Sequence, residues 1–171
     1  MRIVLTATLG GVLATPALAS SLEVTVDIPE LAVAEYHRPY VGIWLERPDS
    51  SVAANLALWY DHDMRGGEGT KWLKDMRQWW RRIGRDLSPA EIDGVSGPTR
   101  APGSQEVVFE VPGEAVAGLA DGDYVLVVEA AREVGGREVV RVPFSWPAAA
   151  ATTRDASGAE ELGRVTVTVR P

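Results

Sequence analysis

Three groups of residues have types and spacings that could do chemistry. The first is Asp61-His62-Asp63-Met64, which offers imidazole, two carboxylates and a thioether, all of them metal-ligand types. Neighbouring side chains on an extended chain point to opposite faces, so Asp61, His62 and Asp63 do not converge on one ion from a strand. We read them as a solvated strand end, with a carrier of a metal ion or small anionic ligand as the alternative. The second group is Lys71, Lys74, Arg77, Arg81, Arg82 and Arg85: six cations and one acid, Asp75, within 15 residues of a chain whose net charge is −7. Clustered cations of this kind steer an acidic partner or ligand toward a surface. The third is Ser96, Thr99 and Arg100 in the loop Ser96-Gly97-Pro98-Thr99-Arg100.

Catalysis is poorly provided for. The chain has two histidines, His37 and His62, and no cysteine, which removes thiolate chemistry and Cys-ligated metals. There is no serine in a G-x-S-x-G context, no metalloprotease helix motif and no phosphate-binding loop. Glu46, Glu129 and Glu133 lie in strand-like stretches, where alternation places charged residues on the exposed face, and Glu129 with Arg132 reads as a surface feature. We expect no enzyme and no cofactor.

The cations of Thr70 to Arg85 belong to an element of their own. On a wheel of about 100° per residue, Trp72, Leu73, Met76, Trp79, Trp80 and Ile83 fall within roughly 120° of arc, with the cations elsewhere. That pattern predicts a cationic amphipathic helix over about 70–84, with Thr70 at its N-cap and Gly84 past its end. A basic helix could also settle at a membrane headgroup layer, but leaving these tryptophans uncovered would expose a large apolar patch. The aromatic face therefore packs on the domain and the basic face remains for a partner.

The rest reads as strands and turns. Alternation or β-branched and aromatic runs predict strands at 22–28, 40–45, 55–60, 106–111, 124–133, 138–144 and 163–169. The second and third suit an antiparallel pair, and Gly135-Gly136 turns the fifth into the sixth as a hairpin. Residues 86–103 and 148–159 read as loops, the former with a capping box at Ser88-Pro89-Ala90-Glu91. The fold class is mainly β: an immunoglobulin-like antiparallel β-sandwich with one inserted amphipathic helix.

Residues 1–19 carry one early positive charge at Arg2, an apolar run from Ile3 to Ala14 and the small-x-small ending Ala17-Leu18-Ala19. This is the pattern of a Sec-type secretory signal peptide, so a periplasmic protein is expected, with residues 20–171 forming a single domain. No later stretch approaches the ~20 apolar residues of a membrane span. Its acidic balance disfavours nucleic acid.

The loop at Ser96-Gly97-Pro98-Thr99 resembles the Ser-Gly-Ala-Thr core at which periplasmic flavin transferases attach FMN, but Pro98 replaces the alanine and Ala101 stands at the acceptor position. The order of features along the chain resembles a bacterial family of predicted periplasmic proteins, domain of unknown function 2271. The pieces that carry the resemblance are Tyr40-Val41-Gly42-Ile43-Trp44-Leu45-Glu46, Leu56-Ala57-Leu58-Trp59, Lys71-Trp72-Leu73, Trp79-Trp80, the Ser96 to Arg100 loop, and Gly122-Asp123-Tyr124 through Val128 to Glu133. It implies a periplasmic immunoglobulin-like module encoded beside PepSY-type membrane proteins and flavin transferases, in the context of iron uptake or extracytoplasmic electron transfer. The expected partner is then a PepSY-type membrane protein or another periplasmic protein.

Overall fold

A computed structural model describes residues 20–111, 113 and 115–171; the expected signal peptide lies outside them. Leucine, valine and isoleucine at every second position of β1 (Ser21–Ile28) bury one face completely and leave the other half-covered. It sits inside a four-stranded sheet with β5 (Gly103–Glu110), β8 (Thr152–Ser157) and β9 (Arg164–Arg170), in the order β5-β1-β9-β8. The second sheet holds β2 (Tyr40–Glu46), β3 (Val52–Tyr60), β4 (Ser96–Pro98), β6 (Gly122–Ala131) and β7 (Arg137–Trp146), in the order β4-β3-β2-β6-β7. The two inner faces share one apolar core, including Leu22, Val24, Ile43, Leu45, Leu126, Val128, Val142 and Val167. This is the expected sandwich, with the β2–β3 pair and the β6–β7 hairpin antiparallel as read.

Two strands fall where loops were expected. Ser96-Gly97-Pro98 pairs with Leu58-Trp59-Tyr60, and it does so in parallel. Three residues carry too little pattern to announce a strand. Thr152–Ser157 pairs with β9 along an edge, and its small polar residues are mostly exposed, so no alternation marks it.

The outer face of the five-stranded sheet is covered by residues 65–95. A 3-10 segment (Arg65–Asp75), helix α1 (Arg77–Arg82), a 3-10 turn (Gly84–Asp86) and helix α2 (Pro89–Val95) follow one another, so the continuous helix expected over 70–84 is corrected to a broken one. The break is at Met76, whose φ/ψ of −76°/77° is not helical. Its cause comes from the sheet. Glu129 on β6 accepts hydrogen bonds from the backbone N–H groups of Gln78 (3.1 Å) and Trp79 (2.7 Å), so a side chain supplies the partner that preceding helical carbonyls would have given. Thr70 does not cap a helix; its hydroxyl donates to the Gly67 carbonyl. The capping box at Ser88 and Glu91 does form, and it starts α2.

The break also decides which aromatics are buried. Leu73, Met76 and Trp79 recur every three residues, the repeat of a 3-10 turn, and all three are buried with Ile83 against Trp44, Leu58, Tyr60 and Val127. Trp72 is turned off that line and stays 44% exposed.

Glu46 and Glu129 overturn the reading of these acids as exposed strand residues. Glu129 is 0% and Glu46 1% exposed. They stand on the outer face of their strands, but that face is beneath the helical layer rather than in water. Glu46 accepts from Trp44 Nε1 (2.9 Å) and Arg141 Nη1 (2.7 Å) and faces Arg82 Nε at 3.4 Å. Arg82 also donates to the Ser50 carbonyl. One carboxylate thus holds the first turn of α1 and the other its last turn.

Burial raises the Glu129 carboxyl above its ordinary value, against the lowering effect of the Trp79 and Gln78 N–H groups and Arg137. A raised folded-state value means that the stability it contributes is present at acid pH and lost as pH rises through that value. In urea unfolding, wild-type stability relative to Glu129→Gln should therefore fall as pH rises above about 4, the ordinary glutamate range, since the amide carries no titrating proton. Glu129→Ala should cost about 2–4 kcal/mol by leaving buried N–H groups unpaired. Gly84→Ala would set a Cβ 2.3 Å from Trp79 Cζ3, and a loss of about 1–3 kcal/mol should appear in the same assay.

Candidate functional site

Where the helical layer stops short of the sheet edge, a cleft of about 870 Å³ opens. One wall comes from residues 36–40, another from the end of β3 and the segment after it, and a third from Trp72, Asp75 and Arg77 of the helical layer. The β6–β7 turn closes the far side. The aromatic lining is ordered: Tyr40 and Tyr60 meet edge to face at 6.1 Å, and the His62 ring lies 4.0 Å from that of Tyr60. His37 Nε2 lies 2.9 Å from Glu35 Oε1 and its Nδ1 3.6 Å from Glu133 Oε2. Burial raises the phenols of Tyr36, Tyr40 and Tyr60, so all three remain protonated hydroxyls at neutral pH.

The turn from β6 to β7 is built around an ion pair. Arg132, with its side chain 6% exposed, donates from Nε and Nη2 to both oxygens of buried Glu161 at 2.8 and 3.0 Å. The Gly136 N–H donates to the same carboxylate at 2.7 Å. The pair Arg132 and Glu129, read as one surface feature, is corrected: both are buried, and each answers to a different partner. The glycines of this turn serve the pair as well as the reversal, because a Cβ on Gly135 would meet Arg132 Cζ at 2.4 Å and one on Gly136 would meet Glu161 Oε1 at 2.8 Å. The left-handed position is instead taken by Val134, with φ 53° and 79% exposure. A β-branched residue there is strained by about 1–3 kcal/mol.

Glu138 fixes the segment behind the clamp. Its carboxylate accepts from four consecutive backbone N–H groups, Ala159 through Leu162, at 2.6–3.1 Å. Burial pushes this carboxyl up, but the four donors outweigh burial and hold it below the ordinary range.

The cleft gathers some of the expected site residues and separates others. Asp61, His62, Asp63, Arg77 and Thr99 line it. Asp61 Oδ1 accepts from the Asp63 N–H in a local turn, and among the described residues no three His, Asp or Glu side chains converge as a metal set. Lys71 pairs with Glu68, Arg85 with Asp86 and Arg82 with Glu46, so half of the cationic cluster is engaged. Among the described residues, Lys74, Arg77 and Arg81 have no ion-pair partner. Ser96 belongs to β4 and donates to the Asp93 carbonyl, while Arg100 lies over the Trp59 ring at 5.4 Å. Sequence reasoning missed Tyr36, Arg132 and Arg137 as cleft residues. No local signal marked these three; for buried Glu129 the signal was an acid inside Tyr124 to Ala131, a stretch apolar on both faces.

Glu161→Gln removes the charge opposite a buried guanidinium. Stability should fall by about 3–5 kcal/mol in urea unfolding, with the β6–β7 turn losing amide-exchange protection before the sandwich core.

No curated protein and no solved structure matches the chain. No helix among the described residues is long and apolar enough to cross a membrane. Residues 21–164, the greater part of the sequence, match a family described as predicted periplasmic proteins, and that span contains every strand but β9, the helical layer and every residue of the cleft. The chain belongs to this family, DUF2271, of predicted periplasmic proteins.

Proposed function

We propose that the protein is a non-enzymatic binding module of the periplasm, an accessory to a membrane redox or iron-uptake component that it meets through its helical layer and the adjoining residues 86–104. The observation that carries this reading is Trp72. It is 44% exposed at the lip of the cleft, beside Arg77, and the same layer carries Lys74 and Arg81 without ion-pair partners among the described residues. Exposed tryptophan with unengaged cations is the composition of an interface centre, where Trp and Arg are enriched. The partner class that the family resemblance implies is a PepSY-type membrane protein. Arg82 is excluded from the docking set because it supports Glu46.

The second reading, a carrier of a small anionic ligand, is supported by the volume of the cleft and its protonated phenols. The metal version of that reading has less support, since Asp61 is engaged by the Asp63 N–H and the His62 ring packs at a tilt against Tyr60.

The triple variant Lys74→Gln, Arg77→Gln, Arg81→Gln should unfold at the same temperature as wild type. In pull-downs from solubilised membranes it should recover about tenfold less partner, with the wild-type yield itself falling as salt is raised. Undiminished recovery would remove the docking role. For the carrier reading, native mass spectrometry of protein isolated from the periplasm should show a mass above that of the polypeptide, and a bare polypeptide mass would count against it.

A further inference from the structure

The cleft pairs an apolar lip with two unpartnered polar groups. Its lip is formed by Trp72 and Val134, two of the four large apolar side chains exposed among the described residues. Val134 holds its isopropyl group in water while occupying a left-handed turn position that glycine would take without strain. Two glycines follow it immediately, so the strained residue is not there for want of a simpler turn. Both features are liabilities for an isolated domain and assets for one that covers them with a ligand.

On the floor, the Tyr36 hydroxyl and Arg132 Nη1 are shielded from solvent and have no hydrogen-bond partner. The guanidinium nitrogen can only donate, and the phenol, protonated at neutral pH, has a proton to donate as well as lone pairs. An acceptor would satisfy both protons at once, and a charged oxygen is the strongest. The acids of the lining do not supply one: Asp63 and Asp75 are exposed, Asp61 accepts from the Asp63 N–H, and Glu133 is exposed beside His37. Tyr36 stands between β1 and β2, outside any strand, so turning its ring requires no ladder bond to break.

We infer that this cleft takes a small aromatic carboxylate, its ring held between Trp72 and Val134 and its carboxylate directed at the Tyr36 hydroxyl and Arg132 Nη1. The inference rests on the binding-module reading and names the ligand class of that site. Ring contact with an indole favours a flat apolar body over an acyl chain, and two unpartnered donors in one lining suit the two oxygens of a carboxylate.

The test uses 2-naphthoate as the probe and the neutral 2-naphthylmethanol as its control, each titrated into isotopically labelled protein and followed by NMR. Saturable 2-naphthoate binding is expected, with the Trp72 indole resonance shifting and the alcohol binding about tenfold more weakly. Tyr36→Phe should reduce that preference to about threefold without changing affinity for the alcohol, a split that loss of packing would not produce. Trp72→Ala should weaken both probes about tenfold. Val134→Gly should weaken both about threefold while leaving the fold at least as stable, because it releases the strained turn. Equal affinity for the two probes, a preference unaffected by Tyr36→Phe, or shifts confined to residues outside the cleft would overturn the inference. A protein that carries a co-purified molecule displaced by Trp72→Ala but ignores both naphthyl probes would keep the binding-module reading and overturn this ligand class.

Discussion

The structure depends on two carboxylates placed where a β-sandwich would ordinarily meet water. Glu46 and Glu129 stand on the outer face of the central strands β2 and β6, and both are fully covered. Burying a charge is costly unless it is paired and hydrogen-bonded, and here the acids are satisfied by groups from the layer above, from β7 and, for Glu46, by Trp44 on its own strand. The requirement runs both ways. α1 has six residues, far below the length at which a helix is stable in water, so it exists because Glu129 receives its first N–H groups and Glu46 receives Arg82 from its last turn. The helical layer is therefore a lid bonded to the sheet at two points, with Trp79 packed between them.

From that constraint the cleft follows. The layer is fixed over β2 and β6 and ends beside the β6–β7 turn, which the Arg132–Glu161 pair and the Glu138 carboxylate hold to the segment before β9. Arg137 joins the two systems: it faces Glu129 at 3.6 Å from below the helix and also lines the cleft. The walls are thus held by ion pairs with buried acids, while the lining residues that face solvent, Trp72 and Val134 above all, are left without structural employment. A rigid frame with an under-used rim is the usual physical basis of a binding site.

Much of this was legible in the sequence. Alternation gave the faces of β1 and β9, the Gly135-Gly136 dipeptide located the hairpin, and the capping box at Ser88 and Glu91 marked α2. The position of the helical insertion was legible as well. Its interior was not, because a 100° wheel assumes one regular helix, and the 3-10 turns rotate Trp72 away from Leu73 and Met76. The cationic cluster divides for a related reason: Lys71, Arg82 and Arg85 carry the same charge as Lys74, Arg77 and Arg81, and only the acids that the fold sets beside the first three tell them apart.

The amino-acid order by itself determined the class of fold, the compartment expected of the chain and the presence of a basic, tryptophan-rich insertion, since these depend on periodicity, composition and local turn chemistry. Tertiary structure alone decided which acids are buried, where the insertion breaks, and that Tyr36, Trp72, Arg132 and Val134 share one cleft. The physical reason is that solvation and hydrogen-bond satisfaction are properties of what lies across a strand, not along it. Glu129 and Gln78 are 51 residues apart in sequence, and nothing local to either announces the bond between them.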